Sequence, residues 1–466
     1  MTRWTTHSPR FLARLVVRPS RRPYSSAVQR IPVPCGMSGN VIVDLYNLDT
    51  ATDTAPLLIY LPPFYATPAS EPVQLPPFCR ELPTAVINYR WAGFSPWEDD
   101  VVTPLPSSPS SVAADEVADT LPSEHLQWPA PIHDTTRAYS WLLEQLEPPA
   151  YTRRSVYVYG SYLGASLATS LALTENHPHL RMAVRGCVAF NGIYNWTMFL
   201  PNHPIHHQAR ARGGISGSVL DQFITPPEDA ELQELGEHAE SLFRTPENMF
   251  DHFASPCLFF HTPGLLVPPS FDDEDNASIS RAVYAATMPS PSPSVAPDEP
   301  FPDTPLPLSS SPASASSSTE EHEEMIAQMA ALKPLRPPRR HPLIFPPRTS
   351  TLKIPEALLL HTSPPPTPFQ TRAGGRRKGA KKPAVTATNS FAHQASELAA
   401  VMHKSINRLE IRERRQWEDD SGEFDEEAAR RVQVADVGLS QEFFELPQQG
   451  QEMVKTWLED RMEQHA

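Results

Sequence analysis

The run of residues from 155 to 174 constrains the fold of this chain more than any other segment. Residues 155–159 (SVYVY) form a short apolar run with the β-branched and aromatic residues that are typical of a buried strand. Residues 165–174 (ASLATSLALT) predict a helix. Gly160 and Gly164 flank the few residues between them. Small residues at both flanks let a strand and a helix pack closely around a strained turn, so the run predicts a strand, a tight turn and a helix.

Further strands and helices alternate on both sides of this unit. This alternation is typical of an α/β fold, in which helices cover both faces of a mostly parallel central sheet. Residues 192–256 are interpreted as helices that form a lid over the carboxyl edge of that sheet. The other predicted strands are residues 41–48, 56–61, 84–89, 184–191, 354–360 and 409–414, and the other predicted helices are residues 133–146, 391–407 and 450–462.

Proline content divides the chain into folded and unfolded parts. The sequence holds 54 Pro but only 18 Gly, and stretches rich in Pro and Ser bury too little apolar surface to fold. We expect one domain made of residues 31–261 and 353–466. A disordered insertion at 262–352, with a short helix at 320–332, interrupts it, and residues 363–386 form a basic loop.

The amino terminus has the composition of a targeting segment. Residues 1–30 hold seven arginines, and no acidic residue occurs before Asp44. Arg10, Arg14 and Arg18 recur every four residues, which places them on one face of a helix. These features predict a mitochondrial transit peptide that is cleaved after Tyr24 and directs the protein to the matrix. The alternative is a disordered basic tail.

Composition argues against several other classes of protein. A formal charge of -15 disfavours a nucleic-acid partner, and the basic run at 372–382 is interpreted as a solvated loop. No stretch approaches the roughly 18 apolar residues that a membrane span needs. The four cysteines have no C-x-x-C pairing, so the sequence suggests neither a disulfide framework nor a zinc site. His203, His206 and His207 are interpreted as surface histidines of the lid, and we expect neither a metal nor a cofactor.

Five short motifs resemble those of the hormone-sensitive-lipase-like esterases, in the same order along the chain. Residues 160–168 (GSYLGASLA) are similar to the G-D-S-A-G-G-N-L-A elbow that carries the nucleophile. The others are NYR at 88–90, WPAPIHD at 128–134, FASP at 253–256 and IPEALLL at 354–360, which resemble D-Y-R, F-P-A-A-x-x-D, S-P-L and L-P-P-A-L-I-V. The resemblance implies an α/β-hydrolase fold and ester hydrolysis by a serine, a histidine and an acid.

The same resemblance places unsuitable residues at every catalytic position. Tyr162 stands at the serine position. Asn389 stands at the acid position, and no Asp or Glu occurs from 357 to 396. Gln441 stands at the histidine position, and no histidine occurs between His403 and His465. In the family, an H-G-G-G-F turn donates backbone N–H groups to the oxyanion, but Pro62 and Pro63 occupy that turn here, and proline has no N–H to donate.

Three functional hypotheses remain open. The first is a non-catalytic α/β-hydrolase relative that binds an apolar small molecule or a protein partner in a lidded pocket lined by Pro62, Pro63, Tyr162 and Leu163. The second is an active carboxylic-ester hydrolase with a non-standard constellation. The third is a scaffold whose insertions and acidic loop at 418–427 recruit partners. The candidate residues for the second hypothesis are the nucleophiles Ser161 and Ser166, and the acids Asp272 or Asp273 if residues 257–261 form the seventh strand.

Overall fold

The structure of the chain is a computed structural model. It describes residues 28–49, 51–64, 72–91, 127–206, 230–272, 337–363, 388–412, 424–439 and 442–464. The predicted helix at 320–332, nearly all of the predicted transit peptide and most of the basic loop lie outside these residues. Within them, no helix is both long enough and apolar enough to cross a membrane.

Eight strands form one sheet with the order β1-β2-β4-β3-β5-β6-β7-β8. Strand β2 runs antiparallel to both of its neighbours, and every pair from β4 through β3 to β8 is parallel. The strands are β1 (Gln29–Pro34), β2 (Asn40–Tyr46), β3 (Leu57–Leu61), β4 (Thr84–Asn88), β5 (Arg154–Ser161), β6 (Met182–Phe190), β7 (Glu356–His361) and β8 (Val432–Asp436).

Helices cover both faces of this sheet. Apolar side chains of α1, α2 and α5 pack on one face, and those of α7 pack on the other. The predicted mostly parallel α/β sheet with helices on both faces is therefore confirmed. The helices are α1 (Ala130–Gln145), α2 (Leu163–Glu175), α3 (Ala230–Glu237), α4 (Ala239–Phe243), α5 (Phe391–Ile406), α6 (Phe424–Arg431) and α7 (Gln448–Gln464).

Strand β5 illustrates why the centre of the sheet is apolar on both sides. Because side chains alternate across a strand, Val156 and Val158 join the core beneath α1 and α2. Tyr157 and Tyr159 point to the opposite face, where Tyr157 donates a hydrogen bond of 2.9 Å to the carbonyl of Arg461 on α7. All eight residues of β5 are buried. A parallel strand covered on both faces has this character.

Three sequence expectations differ from the structure. The described part of the predicted strand 409–414, residues 409–412, is not a strand, because α5 continues into a π-helical turn at Asn407–Ile411 that buries Ile411. Strand β8 lies at Val432–Asp436 instead, which the sequence analysis missed. Residues 257–261 do not form the seventh strand, because Pro256–Phe259 is a 3-10 turn and β7 begins at Glu356.

The lid segment and the first insertion are partly described. Residues 192–256 contain α3, α4 and the short turns Trp196–Phe199 and Pro246–Phe250, with residues 207–229 outside the described ranges. The predicted insertion is described at its two ends, which lie side by side. There the Leu343 amide donates to the carbonyl of Phe260 at 2.7 Å, and the Thr262 amide donates to that of His341 at 2.9 Å. Residues 424–427 of the predicted acidic loop begin α6.

Candidate functional site

The turn between β5 and α2 holds Tyr162 in an unusual backbone conformation. Its φ is 52° and its ψ is -115°, a combination that costs a non-glycine residue about 1–3 kcal/mol unless the surroundings hold it. The Tyr162 amide donates to the carbonyl of Phe190 at 2.9 Å. A Cβ atom on Gly164 would lie 2.3 Å from the carbonyl oxygen of Leu61, and one on Gly160 would lie 2.3 Å from that of Gly164. Only glycine fits at either flank.

Aromatic rings surround the Tyr162 side chain, which is completely buried. Its ring centroid lies 4.7 Å from that of Phe443, 5.5 Å from Phe64 and 6.2 Å from Phe391. Phe444 extends the group, at 5.2 Å from Phe64 and 5.3 Å from Phe443. These five rings are called the aromatic cluster below: Phe64, Tyr162, Phe391, Phe443 and Phe444. They lie on the segments that follow β3, β5, β7 and β8, and they occupy the space in front of the turn.

The Tyr162 hydroxyl points toward the lid. It lies 3.5 Å from the carbonyl oxygen of Glu231 on α3, at the limit of a hydrogen bond. Burial raises the pKa of Tyr162 well above its ordinary value, and the nearby charges of Glu234 and Glu231 raise it further. The phenol is therefore neutral at physiological pH and is a poor nucleophile.

The turn after β3 presents carbonyl groups toward the elbow. The oxygens of Leu61 and Pro62 lie 2.3 and 2.4 Å from the position that a Cβ on Gly164 would take. The Pro62 carbonyl also accepts a hydrogen bond of 2.6 Å from the Tyr89 hydroxyl. Neither Pro62 nor Pro63 has an N–H group. This turn thus lacks two of the backbone donors that would stabilise an oxyanion.

The segment after β7 brings Asn389 into a buried amide network. Asn389 Oδ1 accepts a hydrogen bond of 3.0 Å from Gln394 Nε2, and Gln394 Oε1 accepts from the amides of Tyr194 and Asn195 at 3.0 and 2.9 Å. Phe391, two residues further on, contacts Tyr162. Asn389 therefore lies on the segment that reaches the elbow, and the amide of its partner Gln394 links α5 to the loop after β6.

The segment after β8 also reaches the elbow. Gln441 lies outside the described residues, but Phe443 follows it by two positions and packs against Tyr162. The Phe443 carbonyl accepts a hydrogen bond of 2.7 Å from Asn191 Nδ2, which fixes the segment to the end of β6. An aromatic ring, rather than an imidazole, is the group from this segment that meets Tyr162 among the described residues.

Topology and convergence together define the fold. The strand order is 1-2-4-3-5-6-7-8, and β2 is the only interior strand antiparallel to its neighbours. Tyr162, the residue between β5 and α2, has a positive φ, and the segments after β7 and β8 both reach it. Together these features are typical of one fold. The chain has the α/β-hydrolase fold.

Two motifs that the sequence analysis singled out also meet, since the Arg90 guanidinium forms a buried ion pair with Asp134 at 2.7 and 2.8 Å.

Solved structures of similar shape include esterases. Carboxyl esterase 2 from the mycorrhizal fungus Tuber melanosporum matches at 12% identity and a TM-score of 0.39, covering 96% of this chain and 89% of that one. An esterase from the fungus Rhizomucor miehei matches at 10% and 0.39, covering 95% and 84%. A bacterial heroin esterase matches at 17% and 0.29, covering 52% and 64%. No protein-family model and no curated protein sequence matches the chain.

The two candidate serines lie in different surroundings. Ser161 is buried on the opposite face of the sheet, where its hydroxyl moderates the burial-raised pKa values of Tyr60 and Tyr159. Ser166 lies in the first turns of α2 and donates a hydrogen bond of 2.8 Å to the carbonyl of Leu163. Within the described ranges, neither serine hydrogen-bonds a histidine.

The candidate acids do not follow a strand. Asp272 is exposed in the loop that begins the insertion, and Asp273 lies outside the described residues. The reading that used them needed residues 257–261 as a strand, which the structure contradicts.

A cluster that the sequence analysis missed lies at the carboxyl ends of β7 and β8. His361 and Asp436 are paired across the two strands, and the Ser363 hydroxyl donates a hydrogen bond of 2.5 Å to Asp436 Oδ2. Burial raises the pKa of Asp436, but hydrogen bonds from Ser363 and the Gly438 amide, with the charge of His361, lower it more, and the net pKa lies below its usual value. The usable signal was His361, which directly follows the predicted strand 354–360.

The interpretation of the lid histidines as surface residues was wrong for His203, which is buried, and His206 is partly buried; both have ordinary structural partners. His203 Nδ1 accepts a hydrogen bond from the Ile205 amide at 3.2 Å, and His206 Nε2 lies 2.8 Å from the carbonyl oxygen of Met198. Burial lowers the pKa of His203 to about 3, so its ring is neutral. His207 lies outside the described residues. Within those residues, no group of three or more His, Cys, Asp or Glu side chains could hold a metal ion, and all four cysteines are free.

Proposed function

We propose that this chain is a non-catalytic relative of the α/β-hydrolase esterases. One observation carries the proposal: the aromatic cluster fills the space in front of the elbow turn, where an acyl group would have to bind. Tyr162 contributes its ring to that cluster and keeps its proton, because burial raises its pKa well above the ordinary value.

The neighbouring positions support the same proposal. Ester hydrolysis in this fold needs a base that removes the nucleophile's proton and an acid that orients the base. Asn389 supplies an amide that is engaged with Gln394, and Phe443 lies where the segment after β8 meets the elbow. Each missing oxyanion donor is worth roughly 3–4 kcal/mol of transition-state stabilisation. Restoring the nucleophile alone would therefore leave the site inactive.

The role that we propose for this centre is binding of an apolar small molecule or a protein partner. Of the lining that the sequence suggested, Pro62, Tyr162 and Leu163 are buried and Pro63 is partly exposed, so the ligand would bind over the outer side of the aromatic cluster rather than in an open pocket at the turn. Phe64 and Phe443 are only partly buried, so part of the aromatic cluster can contact a ligand. An apolar molecule with a ring would stack against these side chains more favourably than a polar one.

The proposal is tested by activity-based labelling of the full chain. A fluorophosphonate probe and short-chain nitrophenyl esters should give neither labelling nor turnover above the level of a heat-denatured sample. Labelling that disappears in Ser161→Ala or Ser166→Ala would contradict the proposal. Tyr162→Ser should also stay unlabelled, because base, acid and oxyanion donors are absent as well.

The second candidate function is an active ester hydrolase with a different constellation. The observation in its favour is the His361, Ser363 and Asp436 cluster at the carboxyl edge of the sheet. Its weakness is that the Ser363 proton is directed to the carboxylate rather than to the imidazole. If the probe does label the wild-type chain, Ser363→Ala and His361→Gln decide whether this cluster is responsible, with Ser350→Ala as the control.

We also propose that the chain enters the mitochondrial matrix and loses its first 24 residues there. The folded part is compatible with that step, since β1 begins at Gln29 and its Arg30 is paired with Asp44 at 2.8 Å. Cleavage after Tyr24 would leave both residues of this ion pair in the mature protein.

A further inference from the structure

A half-open basic cavity lies at the opposite edge of the sheet from the elbow. It has a volume of about 520 Å³ and is lined by residues near the amino ends of β5 to β8. Its lining holds three carboxylates, Glu356, Glu410 and Glu427. Its cations are Arg153, Arg185, Lys353, Arg430, Arg431 and Arg461.

A second cavity of about 520 Å³ adjoins the first and shares Lys353 and Glu410 with it. It adds three further cations, Arg348, Arg408 and Arg412, and no further acid. Among the residues that the structure describes, the two linings together hold nine cationic side chains and three carboxylates. This local excess of six positive charges stands in a chain whose formal net charge is -15. Concave walls of one sign concentrate the electrostatic potential and attract the opposite charge.

Two of the three carboxylates, Glu410 and Glu356, form ion pairs with cations of this set. Glu410 pairs with Arg431 at 2.7 Å, and Glu356 pairs with Arg461. Arg185 donates to the carbonyls of His177 and Leu180 at 3.0 and 2.7 Å. These contacts fix the inner wall of the first cavity, so its shape does not depend on a ligand.

The cations at the mouth are differently placed. Arg153, Lys353 and Arg430 are exposed, and their side chains form no ion pair with any residue that the structure describes. Burial lowers the pKa of Arg185, and the like charge of Arg153 lowers it further. An anion between these groups would relieve that repulsion. Arg348 and Arg408 line the second cavity together with Glu410, whose ion-pair partner is Arg431.

We propose that the two adjoining cavities form a binding site for a soluble small molecule that carries several phosphate groups. Eight of the nine cations are arginines, whose planar guanidinium groups bind phosphate oxygens in pairs. Each volume falls within the range of about 300–1,000 Å³ that is typical of small-molecule sites. Among the residues that the structure describes, no side chain in either lining is aromatic, so these residues offer a flat ring no aromatic stacking partner, and we infer that phosphate groups provide the recognition.

This site is independent of the proposed function at the elbow. The elbow lies at the carboxyl ends of the strands, where α/β folds usually bind ligands, whereas these cavities lie at the amino ends. Loss of one site would not imply loss of the other.

The test is isothermal titration calorimetry of the full-length chain with inorganic tripolyphosphate at low ionic strength. We expect saturable binding to the wild-type chain. The double variant Arg153→Glu and Arg430→Glu should weaken binding at least about tenfold, as should Arg348→Glu with Arg408→Glu, because each pair removes contacts and adds repulsion. Arg80→Glu with Arg137→Glu makes the same change in net charge at exposed positions outside both cavities and should change the affinity less than about twofold.

Several outcomes would overturn the proposal. One is the absence of binding to the wild-type chain. Another is equal weakening by the Arg80 and Arg137 control, which would indicate a general charge effect. Citrate binding as tightly as tripolyphosphate would mean that the site does not select phosphate. Binding only to vesicles of phosphatidylcholine with phosphatidylinositol bisphosphate, and not to free tripolyphosphate, would identify a membrane surface instead of a soluble ligand. Circular dichroism of each variant checks that it is folded.

Discussion

Replacing Tyr162 by alanine tests whether the turn between β5 and α2 has become part of the hydrophobic core. Tyr162 is fully buried and its ring centroid lies within 6.2 Å of three phenylalanine rings. Truncating a buried aromatic side chain to alanine typically costs about 3–5 kcal/mol, and each aromatic pair contributes about 0.5–1.5 kcal/mol beyond the area that it buries. We therefore expect Tyr162→Ala to lower the free energy of unfolding by about 3–5 kcal/mol. In an ordinary hydrolase, the residue at this turn is a small serine, and its loss would have no such effect.

Two further variants separate the possible causes. Tyr162→Phe keeps the ring and removes the hydroxyl, whose contact with the Glu231 carbonyl is a long 3.5 Å, so it should cost less than about 1 kcal/mol. Tyr151→Ala is the control for the backbone, because Tyr151 also has a positive φ, of 72°, but its side chain is fully exposed. Urea denaturation followed by tryptophan fluorescence measures all three. If Tyr162→Ala were as stable as Tyr151→Ala, the ring would not be packed and the proposed loss of the acyl site would be refuted.

Three other predictions concern the frame of the site, its response to pH and its destination. Gly164→Ala should lower the free energy of unfolding by about 1–3 kcal/mol, because the new Cβ would lie 2.3 Å from the Leu61 carbonyl oxygen. Gly236→Ala is the control and should be tolerated, because its Cβ would meet the flexible Phe199 ring at 3.1 Å. Equal melting temperatures of the two variants would contradict the prediction. His203 stays neutral in the folded chain down to about pH 3 but gains a proton below about pH 6.5 when unfolded, so stability falls as pH drops through this window, by up to about 1.4 kcal/mol per pH unit. Urea midpoints at pH 7 and 5 should therefore differ less for His203→Asn than for the wild type, and an unchanged difference would exclude His203 as the cause. Deleting residues 1–24 should leave a fluorescent fusion outside mitochondria, and unaltered import would refute the targeting prediction.

The sequence predicted the sheet well because most of its strands carry a strong local signal. Residues 155–159 lie inside β5, and residues 354–360 overlap β7 almost completely. Strand β8 gave no such signal, since it is short and lies at the edge of the sheet, where Val432 is its only buried residue and Val434 is exposed. The sequence of residues 409–414 alternates like that of a strand. The preceding helix nevertheless continues through Ile411, whose burial favours the helical conformation over a strand.

From the sequence, we could predict which residues of the candidate site are unsuited to ester hydrolysis, but not how these residues pack. Tyr162, Pro62 and Pro63 could be recognised as unsuitable because a phenol and two imino acids differ chemically from what the reaction requires. What replaces the reaction could not be predicted, because the phenylalanines of the aromatic cluster are far apart in the chain and have no shared spacing. The pairing of His361 with Asp436 was hidden for the same reason, since it depends on the position of β8.

The two described ends of the insertion after residue 261 are tied together by short backbone hydrogen bonds between residues 260–262 and 341–343. The chain therefore leaves and re-enters the domain at almost the same point. The entropy of closing a loop rises only slowly with its length, so anything between these ends can lengthen or shorten at little cost to the sheet. We therefore expect this junction to tolerate large changes in the inserted sequence during evolution. We also expect that a short linker or a reporter domain can replace the insertion while the sheet still folds.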